Sequence, residues 1–376
     1  MPRKIPLFKI YWDEDDIKLT ENAIKKGMNW AIGANVEKFE EKISNFIGTK
    51  YSVVFNSGTS ALHSVLLAYG ISEGDEVIVP SFTFIATANA PLFVGAKSVF
   101  ADIEEEKLGL DPEDVKEKIT KKTKAIIPVH YGGCPSKIKE LKKVAEDHNL
   151  ILIEDAAESF GAKINNQNIG TFGDSAMFSF CQNKIISTGE GGAITTDSKE
   201  TYERLKLIRS HGRSEDQNYF QSSAPSDYVT LGYNFRMSNI IAALGVSQLK
   251  KIDMIINMRR RVAGILNEKI SKIDNVRPPI QSKDSFHVYQ LYTIRTHPSM
   301  QDSLINYLNE KGIMSKIYFE PIHQTHYYKN VLGYDVKLPV TERVSKEVLS
   351  LPIYPTISDK DIGYICENIK KCSGEC

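Results

Sequence analysis

Short apolar runs alternate with longer amphipathic ones along the first half of the chain. Residues 51–55, 76–79, 98–101, 125–129 and 150–153 read as strands, each a brief apolar run bounded by polar or turn-forming residues. Between them, residues 59–68, 115–119 and 138–147 carry apolar side chains at helical spacing. Upstream, Val36, Phe39, Ile43 and Phe46 fall on one helical face. This alternation predicts an α/β fold with a mostly parallel central sheet covered by helices on both faces. The unbroken run Ile151, Leu152, Ile153 suits a strand buried from both sides. Further on, a helical pattern extends from near Ser238 to about Ile270, and Asn275, Val276, Arg277, Pro278 and Pro279 end it. The remainder, with HVYQLYTIRT, a helix over 303–311, IMSKIYF and a last helix after Ser358, predicts a smaller α+β unit. The expected division is a large domain over 1–250, N-terminal arm included, and a small C-terminal domain over 251–376.

Composition narrows the class without naming it. At 376 residues the chain exceeds what one hydrophobic core usually serves. Lys plus Arg equals Asp plus Glu, 47 each, so no basic excess points to nucleic acid. No apolar run is long enough to cross a bilayer, and MPRKIPLFKIYWDEDD has no apolar core of a signal peptide. The five cysteines (134, 181, 366, 372 and 376) are odd in number and scattered, with no zinc-site spacing. The expectation is a reduced, cytoplasmic protein that binds no metal, no nucleic acid and no membrane.

Three stretches carry candidate chemistry. Glu154 and Asp155 directly follow the strand at 150–153, and open α/β sheets bind ligands at the carboxyl ends of their strands. An aspartate there serves equally well as a helix cap. Asn56, Ser57, Gly58, Thr59 and Ser60 lie between a strand and an amphipathic helix, where free N–H groups and the helix dipole favour an anion. The stretch has neither the P-loop lysine nor the dinucleotide glycine pattern. Finally, MFSFCQNKIISTGEGGAITT takes an apolar strand-like run to a lone Lys184 and then a glycine-rich turn. A desolvated lysine can give up its proton and attack a carbonyl. A phosphate cradle, an acid at a strand end and a placed lysine together point to pyridoxal 5'-phosphate, which needs one partner for each of its phosphate, ring nitrogen and aldehyde.

The ordered motifs NSGTSALH, GDEVIVPSFTFIATANA, VHYGGCP, LIEDAAESFGA, GTFGDSAMFSF, NKIISTGEGGA and GYNFRMSNIIAALG resemble the DegT/DnrJ/EryC1/StrS family of sugar aminotransferases. They run from about residue 30 to 250, and YFEPIHQTHYY matches more loosely. The resemblance implies the fold type I of pyridoxal-phosphate enzymes. It places Lys184 at the aldehyde, Asp155 at the ring nitrogen, Phe84 on the ring face, and Gly58, Thr59 and Ser179 at the phosphate. It places Glu158 near the ring hydroxyl and Asn234 against the phosphate of a neighbouring subunit, hence a homodimer with shared sites. Trp30 and His323 are implied near the substrate, with structural roles equally open to both. The implied reaction moves an amino group from L-glutamate to a nucleotide-linked keto-deoxysugar by a ping-pong route. Asn183 before the lysine, Thr188, Gly189, Glu190, Gly191 and Gly192 after it, and Glu158 match members acting at sugar C4. A 3-keto sugar aminotransferase and a non-catalytic sensor on the same fold are the alternatives. A dehydratase relative would carry histidine in place of Lys184. The loop over 214–227 is a candidate cover for the sugar or nucleotide.

Overall fold

Residues 3–214, 223, 227–280 and 282–375 are described in the computed structural model of the chain. The large unit begins with α1 (Glu14–Lys25) and α2 (Ala34–Ile47), followed by β1 (Tyr51–Phe55), α3 (Gly58–Ala68), β2 (Glu76–Pro80) and α4 (Ile85–Phe93). Then come β3 (Lys97–Ala101), α5 (Pro112–Lys118), β4 (Thr123–Ile126), α6 (Ile138–Asp147) and β5 (Ile151–Asp155). A small β6 (Lys163–Ile164) and β7 (Gln167–Asn168) precede β8 (Ser175–Ser179), β9 (Gly192–Thr196) and α7 (Lys199–Arg209). The central sheet has the order β1-β9-β8-β5-β4-β2-β3, with β9 antiparallel to both neighbours and every other pairing parallel.

Strand alternation feeds two layers. Val54, Ile78, Ile126 and Leu152 face a core shared with Phe39 and Ile43 of α2 and Leu141 of α6. Val53, Val77, Ala125 and Ile153 face the opposite core with Leu62 and Val65 of α3, Ala88 of α4 and Leu205 of α7. The helices therefore cover both faces, and the C-terminal ends of β5 and β8 open beside the start of α3.

The single long helix expected over 238–270 is two helices, α8 (Asn239–Lys250) and α9 (Ile252–Ile270). The apolar pattern runs on through the joint, but Lys251 leaves helical geometry, and its ammonium pairs with Asp13 and, at 3.0 Å, with Asp16 of α1. A tertiary ion pair thus accompanies a break that the pattern does not mark. The first half of α9 packs in the large unit through Ile252, Ile255 and Ile256. Its second half joins another core through Val262, Leu266 and Ile270.

That second core belongs to the C-terminal unit. It contains β10 (Val276–Arg277), β11 (Ser285–Phe286), β12 (Tyr292–Thr296), α10 (Gln301–Glu310), α11 (Pro339–Val344), β13 (Val348–Leu351) and α12 (Asp359–Glu375). β12 lies between β10 and β13, antiparallel to both, while β11 instead pairs with β6 of the large unit. Ile5 of the N-terminal arm is buried in this second core, and its N–H reaches the Gly312 carbonyl at 2.8 Å. Among the described residues, no helix is long and apolar enough to cross a membrane, and no cluster of side chains is arranged to hold a metal ion.

Candidate active site

At the end of β5, alternation sends two adjacent acids to opposite faces. Glu154 turns into the fold, where its carboxylate accepts from His130 Nε2 at 3.1 Å and from the N–H groups of Gly170, Phe172 and Gly173 at 3.0, 2.8 and 2.8 Å. Asp155 turns toward α4. Its Oδ2 accepts from Thr87 Oγ1 at 2.7 Å, and its Oδ1 takes the Ala157 N–H at 3.1 Å. One oxygen thus does the turn-capping work of an aspartate, and the other is held by a hydroxyl. Thr87 is itself backed by Thr83 Oγ1 at 3.0 Å. Burial pushes the Asp155 carboxyl above its ordinary range, against the opposing pull of the Thr87 hydrogen bond and the Lys184 charge.

The run carrying Lys184 leaves sheet geometry earlier than its apolar pattern implies, since β8 ends at Ser179. Phe180 N–H still reaches the Gly191 carbonyl and Thr188 N–H reaches the Phe180 carbonyl, both at 2.9 Å, so the segment folds back on itself. Lys184 sits within it, its N–H on the Cys181 carbonyl at 2.9 Å. The side chain is only 14% exposed, and Nζ lies 3.4 Å from Glu158 Oε1. The other Glu158 oxygen accepts the Gly132 N–H at 2.8 Å. This lysine is therefore placed, not one more solvated cation.

The glycines after it serve two different needs. Gly189 has φ +84°, a left-handed conformation that glycine adopts without strain. Gly192 has no such conformation. A Cβ there would meet the Ser57 carbonyl oxygen at 2.5 Å and the Gly58 nitrogen at 2.7 Å. The turn approaches the backbone at the N-terminus of α3, the candidate anion site.

That N-terminus is organised by Ser57, the N-cap, whose Oγ accepts the Ser60 N–H at 3.1 Å. Ser60 Oγ in turn donates to Asn56 Oδ1 at 2.5 Å. Ser179, at the end of β8, packs over Gly58: a Cβ on that glycine would lie 3.2 Å from Ser179 Cβ and 3.4 Å from its Oγ. Gly58 and Ser179, distant in sequence, thus meet at one point beside half-buried Thr59. Asn234 lies next to this point. Its carbonyl accepts from Asn56 Nδ2 at 3.4 Å, and the residue is exposed.

Phe84 caps the start of α4 and is 60% exposed, which excludes the ordinary core role of an aromatic there; its nearest ring neighbour is Phe319 at 6.3 Å. His323 is buried. Its Nδ1 pairs with Ser81 Oγ at 2.7 Å and its Nε2 with Glu342 Oε1 at 3.4 Å, so both ring nitrogens of this histidine, implied near the substrate, have protein partners, as its structural role requires. Burial lowers its pKa. Trp30 is half exposed, with its indole N–H on the Ile24 carbonyl at 3.2 Å and its own carbonyl accepting the Asn239 N–H. It anchors the α1–α2 loop while leaving a ring face open. Of the loop over 214–227, most residues lie outside those described. Thr87, Gly132 and Tyr318 escaped the sequence reading. Tyr318 stands within the fields of Glu158 and Cys181, and burial raises its hydroxyl pKa. Thr87 is one helical turn beyond Thr83, a spacing that carries a signal only once Asp155 is known to face α4.

A profile of the DegT/DnrJ/EryC1/StrS aminotransferase family matches residues 11–370. The chain belongs to that family of aminotransferases. GDP-perosamine synthase of Escherichia coli O157:H7 is 38% identical over 340 residues, which cover 90% of each chain. Among solved structures, Helicobacter pylori PseC, an aminotransferase involved in the biosynthesis of pseudoaminic acid, matches with a TM-score of 0.93 at 27% identity, covering 100% of both chains. The PLP-form of Spr1654 from Streptococcus pneumoniae matches with a TM-score of 0.93 at 26% identity, covering 99% of both chains. The fold is that of the fold type I pyridoxal-phosphate-dependent transferases, as the motifs implied.

Proposed function

We propose that the chain is a pyridoxal-phosphate-dependent aminotransferase that moves an amino group from L-glutamate to a nucleotide-linked 4-keto-6-deoxysugar. The observation that carries the reading is the convergence of Lys184, Asp155 and the α3 N-terminus, three partners matched to the aldehyde, ring nitrogen and phosphate of one cofactor. The match rests on physical features. Gly58 and Gly192 let β8 and the glycine turn close on the start of α3, whose first-turn N–H groups would receive an anion. Among the described residues Asp155 is a buried carboxylate with no cationic hydrogen-bond partner, so a protonated ring nitrogen would complete it.

When bound, the cofactor supplies an electron sink that stabilises negative charge on the carbon losing its proton. The side chains then divide the work. Gly58, Thr59 and Ser179 hold the phosphate, and Asn234 reaches the phosphate of a partner subunit. Asp155, steadied by Thr87, keeps a proton on the ring nitrogen. Phe84 offers its exposed ring as a stacking face. Lys184 would hold the aldehyde, and its amine, when free, would be the group that takes up and returns the proton of the donor carbon. Glu158, braced by Gly132, keeps the Lys184 amine from swinging into solvent. Trp30 borders the sugar. Met28, Trp30, Phe93, Val229 and Leu231 are exposed apolar side chains, a composition that supports burial against a second copy.

Regiochemistry at C4 rests on the pattern around Lys184 and on the likeness to a GDP-perosamine synthase. Matched 3-keto and 4-keto nucleotide sugars, each supplied with glutamate, test it by NMR of the products. Turnover of the 4-keto series is expected, and turnover confined to the 3-keto series overturns the assignment.

A further inference from the structure

One segment of the C-terminal unit grips both halves of the Lys184–Glu158 pair. Gln290, fully inside the fold, donates from Nε2 to the carbonyl of Asn183, the residue immediately before Lys184. Next to it, Leu291 N–H donates to the Gly132 carbonyl at 3.0 Å, and the Gly132 N–H holds Glu158 at 2.8 Å. The segment is fixed from behind by Arg259 of α9, which is buried and gives Nε to the Tyr289 carbonyl at 2.9 Å and Nη2 to the Gln290 carbonyl at 2.8 Å. Among the described residues no carboxylate pairs with this guanidinium, and burial lowers its pKa to about 10. A buried cation spent on two main-chain carbonyls marks a backbone that must stay in one place.

Two further features agree. Tyr289 has φ +53°, an uncommon conformation for a bulky residue, which persists only where the surroundings over-determine it. Its N–H is taken by His287 Nδ1 at 2.9 Å and its ring stacks on His287. Gly133 permits the approach from the other side, since a Cβ there would lie 2.9 Å from the Gln290 nitrogen. Meanwhile Gln290 Oε1 is buried with no hydrogen-bond partner among the described residues. An unpaired buried acceptor weakens a fold, so an apolar residue of the same size would serve stability at least as well. The amide is explained by its donor, and that donor goes to the Lys184 turn.

We propose that Gln290 is a positioning residue for Lys184, through which the C-terminal unit sets where the lysine amine stands relative to Glu158. The proposal rests on the reading of Lys184 as the cofactor lysine. Gln290→Met keeps length and removes both the donor and the orphan acceptor, whereas Gln290→Glu keeps shape but, when ionised, replaces the donor by a charged oxygen facing the Asn183 carbonyl. In the holoenzyme, both variants are expected to lose about half or more of the visible circular dichroism per bound cofactor, because the cofactor is held less rigidly. The rate of the glutamate half-reaction at saturation falls about tenfold while its half-saturating glutamate concentration stays within about twofold, since a misplaced amine harms the proton transfer more than donor binding. In the apo protein, hydrogen exchange in the peptide carrying Lys184 accelerates. The Tm of Gln290→Met stays within about 2 °C of the parent. Borohydride reduction of the parent chain separates the two levels of the reading. A pyridoxyl group on Lys184 with unchanged dichroism, rate and exchange in both variants overturns the positioning role alone. No pyridoxyl group on Lys184 overturns the reading and the positioning role together. A Gln290→Met chain that loses its Tm assigns the residue to the fold and overturns the proposal as well.

Discussion

Replacing Gly192 by alanine tests whether the glycine-rich turn exists to admit the start of α3. The change adds one methyl at a position whose φ any residue can adopt, so backbone strain is not introduced. The new Cβ would stand 2.5 Å from the Ser57 oxygen and 2.7 Å from the Gly58 nitrogen, where ordinary contact begins at 3.4 Å. Backbone on both sides means that no flexible side chain can yield, so the first turn of α3 must retreat by about 0.7–0.9 Å. Overpacking of this kind costs about 1–3 kcal/mol of stability. The retreat also lengthens the hydrogen bonds that the α3 N-terminus offers to a phosphate. Losing one charge-assisted bond of about 1.5–3 kcal/mol weakens cofactor affinity about 10- to 100-fold. Equilibrium titration of the apo protein with pyridoxal phosphate measures this directly. Gly189→Ala is the control: its φ of +84° makes alanine strained, but an added Cβ meets nothing within 4 Å. It should lower Tm while leaving affinity within about threefold of the parent. Parental affinity in Gly192→Ala would refute the assignment of the phosphate to the α3 N-terminus.

Asp155→Asn should lower turnover by about 100-fold or more, since a fixed charge at the ring nitrogen is lost. Its effect on the apo protein has the opposite sign. The raised pKa of Asp155 means that the folded chain holds this proton more tightly than the unfolded one, so its contribution to stability falls as pH rises from the ordinary carboxylate range through the folded value. At neutral pH the apo Asn variant should therefore melt no lower than the parent, and a clear drop in apo Tm would show that Asp155 serves the fold. Glu154→Gln should do the reverse: with four donors left facing an amide, it costs about 3–5 kcal/mol. That corresponds to a Tm loss of roughly 4–6 °C for a chain of this size by thermal denaturation, and an unchanged Tm would contradict the burial described. Heterodimers of an Asn234→Ala chain with a Lys184→Ala chain should have about half the parental activity if sites are shared across a homodimer, since one site lacks both groups and the other is intact. No recovery in verified heterodimers counts against sharing.

Much of the frame is legible in the sequence for a plain reason. Strands such as β1 and β3 are short apolar runs with polar ends, and the helices between them keep one apolar face, so local pattern and tertiary position agree. Legibility fails where the cause is non-local. Nothing near Lys251 marks the break between α8 and α9, because its partners Asp13 and Asp16 lie more than two hundred residues upstream. Glu154 and Asp155 look equivalent in sequence, and only the pleat of β5 separates the structural acid from the one facing the site. Motif matching singled out Lys184, Glu158 and Gly58, but the contacts of His323 with Ser81 and Glu342 depend on residues far from it in sequence. Gln290 was invisible for the same reason. Its apolar neighbours in HVYQLYT read as strand, and its role depends on a carbonyl 107 residues away.

Every role proposed for the site depends on Lys184 as the residue that carries the cofactor. Borohydride reduction of the cofactor-saturated protein, followed by peptide mass mapping, tests it in one step. The pyridoxyl group is expected on Lys184 and absent from the Lys184→Ala chain. Label on a different lysine, or no label at saturation, would contradict the account.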